Sequence, residues 1–572
     1  MEEYLKYAGI LVLILAAAVV ILIYNNRKRR KLFLSRMRRQ WGKVSERAYT
    51  LEEIDNISHY ASRLKEDAPF FVDDITWNDL NMDRVFVGIN QTVSSPGEDY
   101  LYYLLRTPRL SEEELEKQER RISFFAEHPR EREEMQMLLS EVGKGRYGSV
   151  SDAIFVLEDA PVLRRTFHIV SALAVLAVFV YMLFQPVPGI FLFILLCTVN
   201  AGTYFGGSDR KVAGVYLYCF ENLLRMLAAA KKMEKITWEE VQEQTESIRG
   251  ARLQFGKFQR GSFWVTGRND SSGNPIYLLM DYLRMIAHVD LIKYNAMLRE
   301  VVSHREAVIT LLNQMGMLDA AIAIASWRQT LPYYCHPKFQ HGSCAVLKQP
   351  GQVSFRVQDM YHPLISDPVA NSITAKRGVL VTGSNASGKS TFIKNVAINA
   401  ILAQSVNTCL ASSYEAPMFR ILTSMALRDD LYKGESYFIV EIKSLKRILD
   451  QAEEGMPVLC IVDEVLRGTN TIERIAASSR ILKQLAAPNV ICFAATHDIE
   501  LSYILEKYYD NYHFEEEIRQ QDILFSYLLQ KGRASTRNAI SLLQLLGYPQ
   551  EIVDDAREAA EVFEENGVWE NL

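Results

Sequence analysis

Residues 378–391 read GVLVTGSNASGKST: a short β-prone apolar run, then Gly383, Ser384, Asn385, Ala386, Ser387, Gly388, Lys389 and Ser390 in the spacing GxxxxGKS, then Thr391 and a helical pattern. Such a loop wraps phosphate only where a strand delivers it and a helix begins at its end, so the segment demands an α/β sheet with its loops at the carboxyl edge. The backbone N–H groups of 383–388 face phosphate oxygens and the helix N-terminus adds positive dipole. Lys389 reaches the β- and γ-phosphates, Ser390 stands where magnesium is ligated, and Thr391 completes the stretch.

A phosphate loop of this kind needs a second strand bearing an acid. Residues 458–464, VLCIVDE, supply five apolar residues followed by Asp463 and Glu464. Asp463 is placed to hold Mg2+, and Glu464 to orient and deprotonate an attacking water, so the pair indicates hydrolysis beyond binding. A third apolar strand, Val490–Ala495, ends in Thr496 and His497, a position suited to sensing a γ-phosphate. The expected cofactors are ATP and Mg2+, and the expected catalytic set is Glu464, Lys389 and His497.

Two other regions have the composition of membrane spans. From Tyr7 to Tyr24 every residue is apolar, glycine or tyrosine, enough helix for roughly 27 Å, close to the hydrocarbon thickness. Glu2 and Glu3 precede it, whereas Arg27, Lys28, Arg29, Arg30, Lys31, Arg36, Arg38 and Arg39 follow, which places the N-terminus outside. The charges stand on the wrong side for a cleaved signal peptide, so the segment reads as an uncleaved anchor. A second block runs from Phe167 to Phe184, breaks at Gln185, Pro186, Val187, Pro188 and Gly189, and resumes from Ile190 to about Phe205. Arg164, Arg165, Arg210 and Lys211 flank it, so it reads as a transmembrane hairpin with both outer ends cytoplasmic. Three spans of a multi-pass cell-membrane protein result, with 27–39 adding about 1 kcal/mol of attraction per cation to an anionic leaflet.

At 572 residues the chain exceeds one hydrophobic core, and a net charge of −5 excludes a uniformly basic nucleic-acid coat. The seven cysteines are scattered, which fits a reducing compartment. Cys335, His336, His341 and Cys344 lie within ten residues, but their order matches no common zinc spacing and reads as a connector. The remaining chain reads as helical: 40–165 with a serine cap at Ser111, then Val212–Ile248, then one long region from Ile276 to Trp327. In the last, Leu291, Leu298, Val301, Val308, Leu312 and Met315 form a heptad-like stripe, suited to a lever or an ordinary bundle.

The segments GSNASGKSTF, LRDDLYKGESYFIVEI (427–442), VDEVLRGTNT (462–471) and FAATHDIEL (493–501) resemble, in order and spacing, the ATPase motifs of MutS proteins. The tail LLGYPQEIVDDAREAAE (545–561) resembles the helix-turn-helix closing that domain. The resemblance extends over the preceding helices from about 276 and more weakly over 78–150. It implies a MutS/ABC-like α/β P-loop domain behind an all-α core and lever region, acting as an ATPase homodimer with composite sites. Ser436 would then reach the nucleotide bound by the other subunit, and closure would move helical levers around DNA. A membrane anchor stands where mismatch-recognising members carry an FxE wedge; Phe514 and Glu516 match that pattern inside the ATPase domain, where no wedge fits. The stretch 249–275 is short for the family's clamp, although Arg252, Lys257, Arg260 and Arg268 there could contact phosphate. The segment SDPVANSI lacks an adenine-stacking aromatic, and Glu435 and Tyr437 replace the family's usual arginine and threonine.

The expected organisation is an anchor at 1–26, a helical core-like domain at 27–165, a hairpin at 166–206, a core and lever region at 207–340 and the ATPase domain at 341–572. Two rivals remain: a motor driving its own hairpin, disfavoured because no LSGGQ segment is present, and an ATP-dependent scaffold acting on a non-DNA partner. Glu464 argues against a scaffold that barely turns over.

Overall fold

A computed structural model describes residues 20–569 apart from 22–23, 26, 46, 146–148, 164, 261, 263–274, 341–352, 385–386, 426–436, 454, 520–521, 535–539, 541–542, 545–546 and 568. The chain divides into two compact units. One comprises 1–67, 86–104 and 117–330; the other comprises 68–85, 105–116 and 331–572. Of the expected span Tyr7–Tyr24, only Val20, Ile21 and Tyr24 are described.

The first unit is helical. Its central helix, Arg305–Arg328, is buried over most of its length, and Asp319 within it accepts from the N–H groups of Val93 and Ser94 and from the Ser94 hydroxyl. Arg328 makes a bidentate pair with Glu119 at 2.6 and 2.7 Å. The apolar stripe is buried, and the helical region expected from Ile276 to Trp327 comprises three helices, Pro275–Ala287, Val289–Ser303 and Arg305–Arg328. The first break falls at His288, whose φ of 49° departs from helix. Its ring explains the break, since it is fully buried and bonded through Nε2 to Asn200 O and through Nδ1 to His168 Nδ1, each at 3.0 Å. The expected helix Val212–Ile248 likewise divides into Ser208–Met233 and Gln242–Leu253.

Among the described residues, four helices are long and apolar enough to cross a membrane. Ser208–Met233 and Arg305–Arg328 are mostly buried within the unit, whereas Arg165–Phe184 and Pro186–Gly206 leave all but 11% and 17% of their apolar windows uncovered. The latter two form the hairpin, but its connection is tighter than expected. Only Gln185 separates the helices, because Pro186 occupies the first turn of the second, where its missing N–H costs no hydrogen bond. Gly189 lets the helices close behind that turn: a Cβ there would stand 2.4 Å from Met182 Cα.

The second unit carries two sheets. A small one is ordered β1 (Lys338–Phe339), β5 (Ser413–Ala416), β2 (Phe355–Met360) and β3 (Asn371–Ala375). The main sheet runs β10 (Asp522–Lys531), β9 (Tyr509–Arg519), β4 (Gly378–Thr382), β8 (Val490–Ala495), β7 (Val458–Asp463) and β6 (Arg420–Ser424). All its pairings are parallel except β9 with β10. β4 and β8 are buried throughout, as strands covered on both faces must be, and the helix Lys389–Val406 is buried on nearly every side. Residues 68–85, expected in a separate core-like domain, belong here: Asp79 accepts from the Thr423 hydroxyl and Met425 N–H, and Asp73 pairs with Arg447 at 2.5 Å. Of the resembled closing motif, the helix Gln550–Asn566 is described.

One buried carboxyl makes the helical unit pH-sensitive. Asp99 accepts from the Ser149 and Ser151 hydroxyls at 2.6 Å each, and burial pushes its pKa up to about 7 against those bonds. A raised folded-state value contributes stability below the unfolded value near 4 and loses it as pH rises to about 7. The purified protein is expected to become less stable across that window, and Asp99→Asn to flatten the dependence. Urea midpoints at pH 5 and pH 8 test this, and parallel slopes in both proteins would refute it.

Candidate nucleotide site

Three strands end level at the carboxyl edge of the main sheet, since Ala495 on β8 faces Val381 on β4 and Asp463 on β7. The ladder continues one residue further: Thr496 N–H donates to Val381 O at 3.1 Å, and Glu464 N–H to Ala495 O at 2.9 Å. Parallel pairing therefore sets the phosphate loop, His497 and the Asp463–Glu464 pair side by side.

Gly383 and Gly388 have φ of 140° and 101°, conformations that side chains disfavour, so the loop's glycines are needed for its path. Ser387 donates its hydroxyl to Ser384 O at 2.8 Å, closing the turn, and Lys389 begins the helix. Lys389 Nζ donates to the carbonyls of Gly383 and Ser384, each at 2.6 Å, folded over the cradle it would share with phosphates. Thr391 is exposed on the first turn. Asn385 and Ala386 lie outside the described residues, as does Ser436, the residue expected to act across a dimer, together with Glu435.

Asp463 accepts a hydrogen bond from the Ser390 side chain, and burial pushes its pKa up, opposed by that bond. Its Oδ1 is buried without a hydrogen-bond partner among the described residues. A buried carboxylate oxygen lacking a donor, beside a serine hydroxyl, suits a hard divalent cation with oxygen ligands.

Glu464 adopts φ of 55°, and Leu466 two residues on adopts 58°. This left-handed path turns the Glu464 carboxylate back across the strand ends: Oε1 lies 3.0 Å from His497 Nε2, and Oε2 lies 2.9 Å from Arg467 Nη1. His497 Nε2 is also 3.4 Å from Lys389 Nζ. Burial lowers the His497 pKa, the Lys389 charge lowers it further and Glu464 opposes both. A neutral ring at physiological pH then donates Nε2–H to Glu464. The three expected catalytic side chains thus form one contact chain.

Several contributors carry no sequence signal of their own. Glu441, in the helix Tyr437–Ala452, accepts backbone N–H bonds from Leu466 and Arg467 and so holds the strained loop after Glu464; burial raises its pKa. A glutamate in an amphipathic helix ordinarily reads as surface. Arg474 grips Asp498 at 2.6 and 2.9 Å, tying the helix Thr471–Gln484 to the segment bearing His497. Tyr527 lies against the loop, 3.1 Å from where a Cβ on Gly388 would stand. Elsewhere, Phe514 is buried in β9 against Phe392, in the interior of a sheet. Cys335 and Cys409, both thiols, pair through their backbones, each N–H donating to the other's carbonyl, while His341 and Cys344 lie outside the described residues.

Residues 379–564 match the family model for MutS domain V. The chain is 29% identical over 297 residues to MutS protein homolog 4 of Homo sapiens, covering 48% of this chain and 30% of that protein. It is 31% identical over 274 residues to the DNA mismatch repair protein MutS of Thermosipho melanesiensis, covering 46% of this chain and 31% of that protein. The matched segment therefore spans under a third of the length of either relative. The matched region contains the phosphate loop, both acids, His497 and the helix that follows the closing turn, so this part of the chain is similar to MutS domain V.

Proposed function

We propose that this protein is a membrane-attached, MutS-like ATPase that hydrolyses ATP in a homodimer and transmits the cycle through its helices to DNA. The observation that carries this reading is the Glu464 carboxylate, held between His497 and Arg467 at the level of the phosphate loop. Gly383, Ser384, Ser387 and Gly388, with Asn385 and Ala386, cradle the phosphates; Lys389 leaves the loop carbonyls to meet them. Ser390 and Asp463 would hold Mg2+, which neutralises charge on the β- and γ-phosphates when bound. Glu464 accepts the proton of the attacking water, and His497 orients that carboxylate and faces the γ-phosphate. Ser436 completes the site of the partner subunit.

DNA as the partner rests on the kinship with the mismatch repair protein MutS, and membrane attachment on the uncovered hairpin with its flanking cations. On this reading the protein is a multi-pass chain of the cell membrane, with its N-terminus outside and its ATPase unit cytoplasmic. The exposed hairpin also supports a second reading, an ATP-dependent machine acting on a membrane or protein partner.

Lys389→Ala should abolish turnover, whereas Glu464→Gln should bind ATP yet hydrolyse it roughly 10²–10⁴-fold more slowly, the usual scale for losing a general base. Filter binding with single-turnover hydrolysis separates the two, and normal turnover in Glu464→Gln would remove Glu464 from its role. Glu441→Leu frees the 464–468 loop and is expected to lower kcat about tenfold with KM nearly unchanged; a change in KM alone would deny the positioning role. Turnover of the solubilised protein with homoduplex, mismatched and branched DNA distinguishes the two partner classes: stimulation by one structure supports DNA, and indifference to all supports the second reading. Gln185→Cys is expected to react with an impermeant maleimide on intact cells beyond the wild-type background; labelling only after lysis would invert the topology.

A further inference from the structure

The helical unit contains a cleft of about 600 Å3 that the nucleotide site does not use. Four separate segments wall it: the helix 27–40 with the turn after it, residues 90–93, the pair Gln136 and Lys144, and Ile322 with Ser326 from the central helix. Phe33, Arg36, Met37 and Gln40 recur at helical spacing, so one face of the helix 27–40 looks into the cleft. Five cations line it, Arg36, Arg39, Lys43, Arg47 and Lys144, and among the described residues no carboxylate does. This concentration occurs in a chain whose net charge is −5.

The floor and the rim differ. Glu98, 5% exposed, lies beneath the floor and takes Lys144 at 2.5 Å and Arg47 at 3.1 Å, while Arg47 also reaches Glu53 at 3.2 Å. Burial lowers the Lys144 pKa and Glu98 opposes it, so that ammonium stands in a poorly hydrated position. The rim cations Arg36, Arg39 and Lys43 have no carboxylate partner among the described residues, whereas Arg38, on the opposite helix face, binds Glu133 at 2.6 and 2.8 Å. Unpaired like charges converging on a concavity repel one another unless an anion enters. The volume is that of a small-molecule site, and the apolar contribution of Phe33, Met37, Trp41 and Val44 exceeds what inorganic phosphate could use. A bilayer or a duplex would be met by a broad convex or flat patch, not by a recess walled by four segments.

We infer that this cleft binds a soluble, nucleotide-sized anion carrying two or more phosphates, with Arg36, Arg39 and Lys43 closing over phosphates seated above Lys144 and Arg47. The site is separate from the phosphate loop and lies beside the juxtamembrane helix, so occupancy would tie that helix to residues 90–93 and to the central helix.

The test uses the full chain in detergent with Lys389→Ala, which removes phosphate binding at the loop, and sodium tripolyphosphate as probe. Calorimetry is expected to give one site per chain, weakened at least tenfold in Arg36→Gln/Arg39→Gln/Lys43→Gln. Those side chains are exposed, so the variant should fold, and an unchanged melting temperature without probe checks this. Arg27→Gln/Lys28→Gln/Arg30→Gln removes the same charge outside the cleft and should bind normally. No binding, equal affinity in the rim variant, or equal weakening in the control would overturn the assignment. So would a rim variant that loses sedimentation with phosphatidylserine vesicles, or binding to a short oligonucleotide, while tripolyphosphate binding persists.

Discussion

The register of three parallel strands governs the nucleotide site. With Ala495 opposite both Val381 and Asp463, each strand releases its chain at the same height, and the next residues of each enter one space. A shift of one residue would turn Glu464 from the edge toward a buried face and separate it from His497. The register is itself fixed by burial: residues 458–462 of β7 and all of β8 pack inside, and the helix Lys389–Val406 fills the face behind the loop. Cys460 and Cys492, cross-strand neighbours in that pairing, bring their sulfurs to 3.7 Å.

The loop after β7 is where order is converted into strain. Glu464 and Leu466 both take left-handed φ, which costs of order 1–3 kcal/mol at each non-glycine position. Glu441 offsets this by accepting from the loop's backbone, and Asn470 ends the loop by capping the next helix at Glu473 N–H. Glu441 stands five residues after Ser436 in sequence. In the proposed cycle the Ser436 segment would therefore lead directly into the helix that holds the loop after Glu464, a short covalent route between the two.

The helical unit solves a different problem, which is carrying polar groups inside an all-α interior. Asp319, Asp99 and Glu98 are each met by hydroxyls, backbone N–H groups or cations, so the carboxylates staple segments distant in sequence. At the base of the hairpin, His168, His288 and Asp209 form a chain of contacts. His168 Nε2 lies 3.2 Å from Asp209 Oδ2, His288 Nε2 lies 3.0 Å from Asn200 O, and the two Nδ1 atoms face each other at 3.0 Å.

The phosphate loop, the two acids and the strand ending in His497 were legible because their chemistry depends on local order: strand, then loop, then helix, with fixed spacing. The hairpin was legible because uninterrupted apolar composition needs no tertiary context. Its tight turn was misread because proline signals both a loop and the first turn of a helix, and only packing of the two helices at Gly189 decides between them. Where the helical region from 276 to 327 divides was illegible for a similar reason, since a histidine in left-handed conformation has no sequence mark; its partner ring lies 120 residues away. Sequence alone determined which residues could touch a nucleotide and which segments were apolar enough for lipid. Tertiary structure decided that Glu441 holds the loop after Glu464, that residues 68–85 belong with the unit bearing the phosphate loop and that five cations from separated segments converge on one cleft, because burial and charge convergence are properties of neighbours in space that no local spacing encodes.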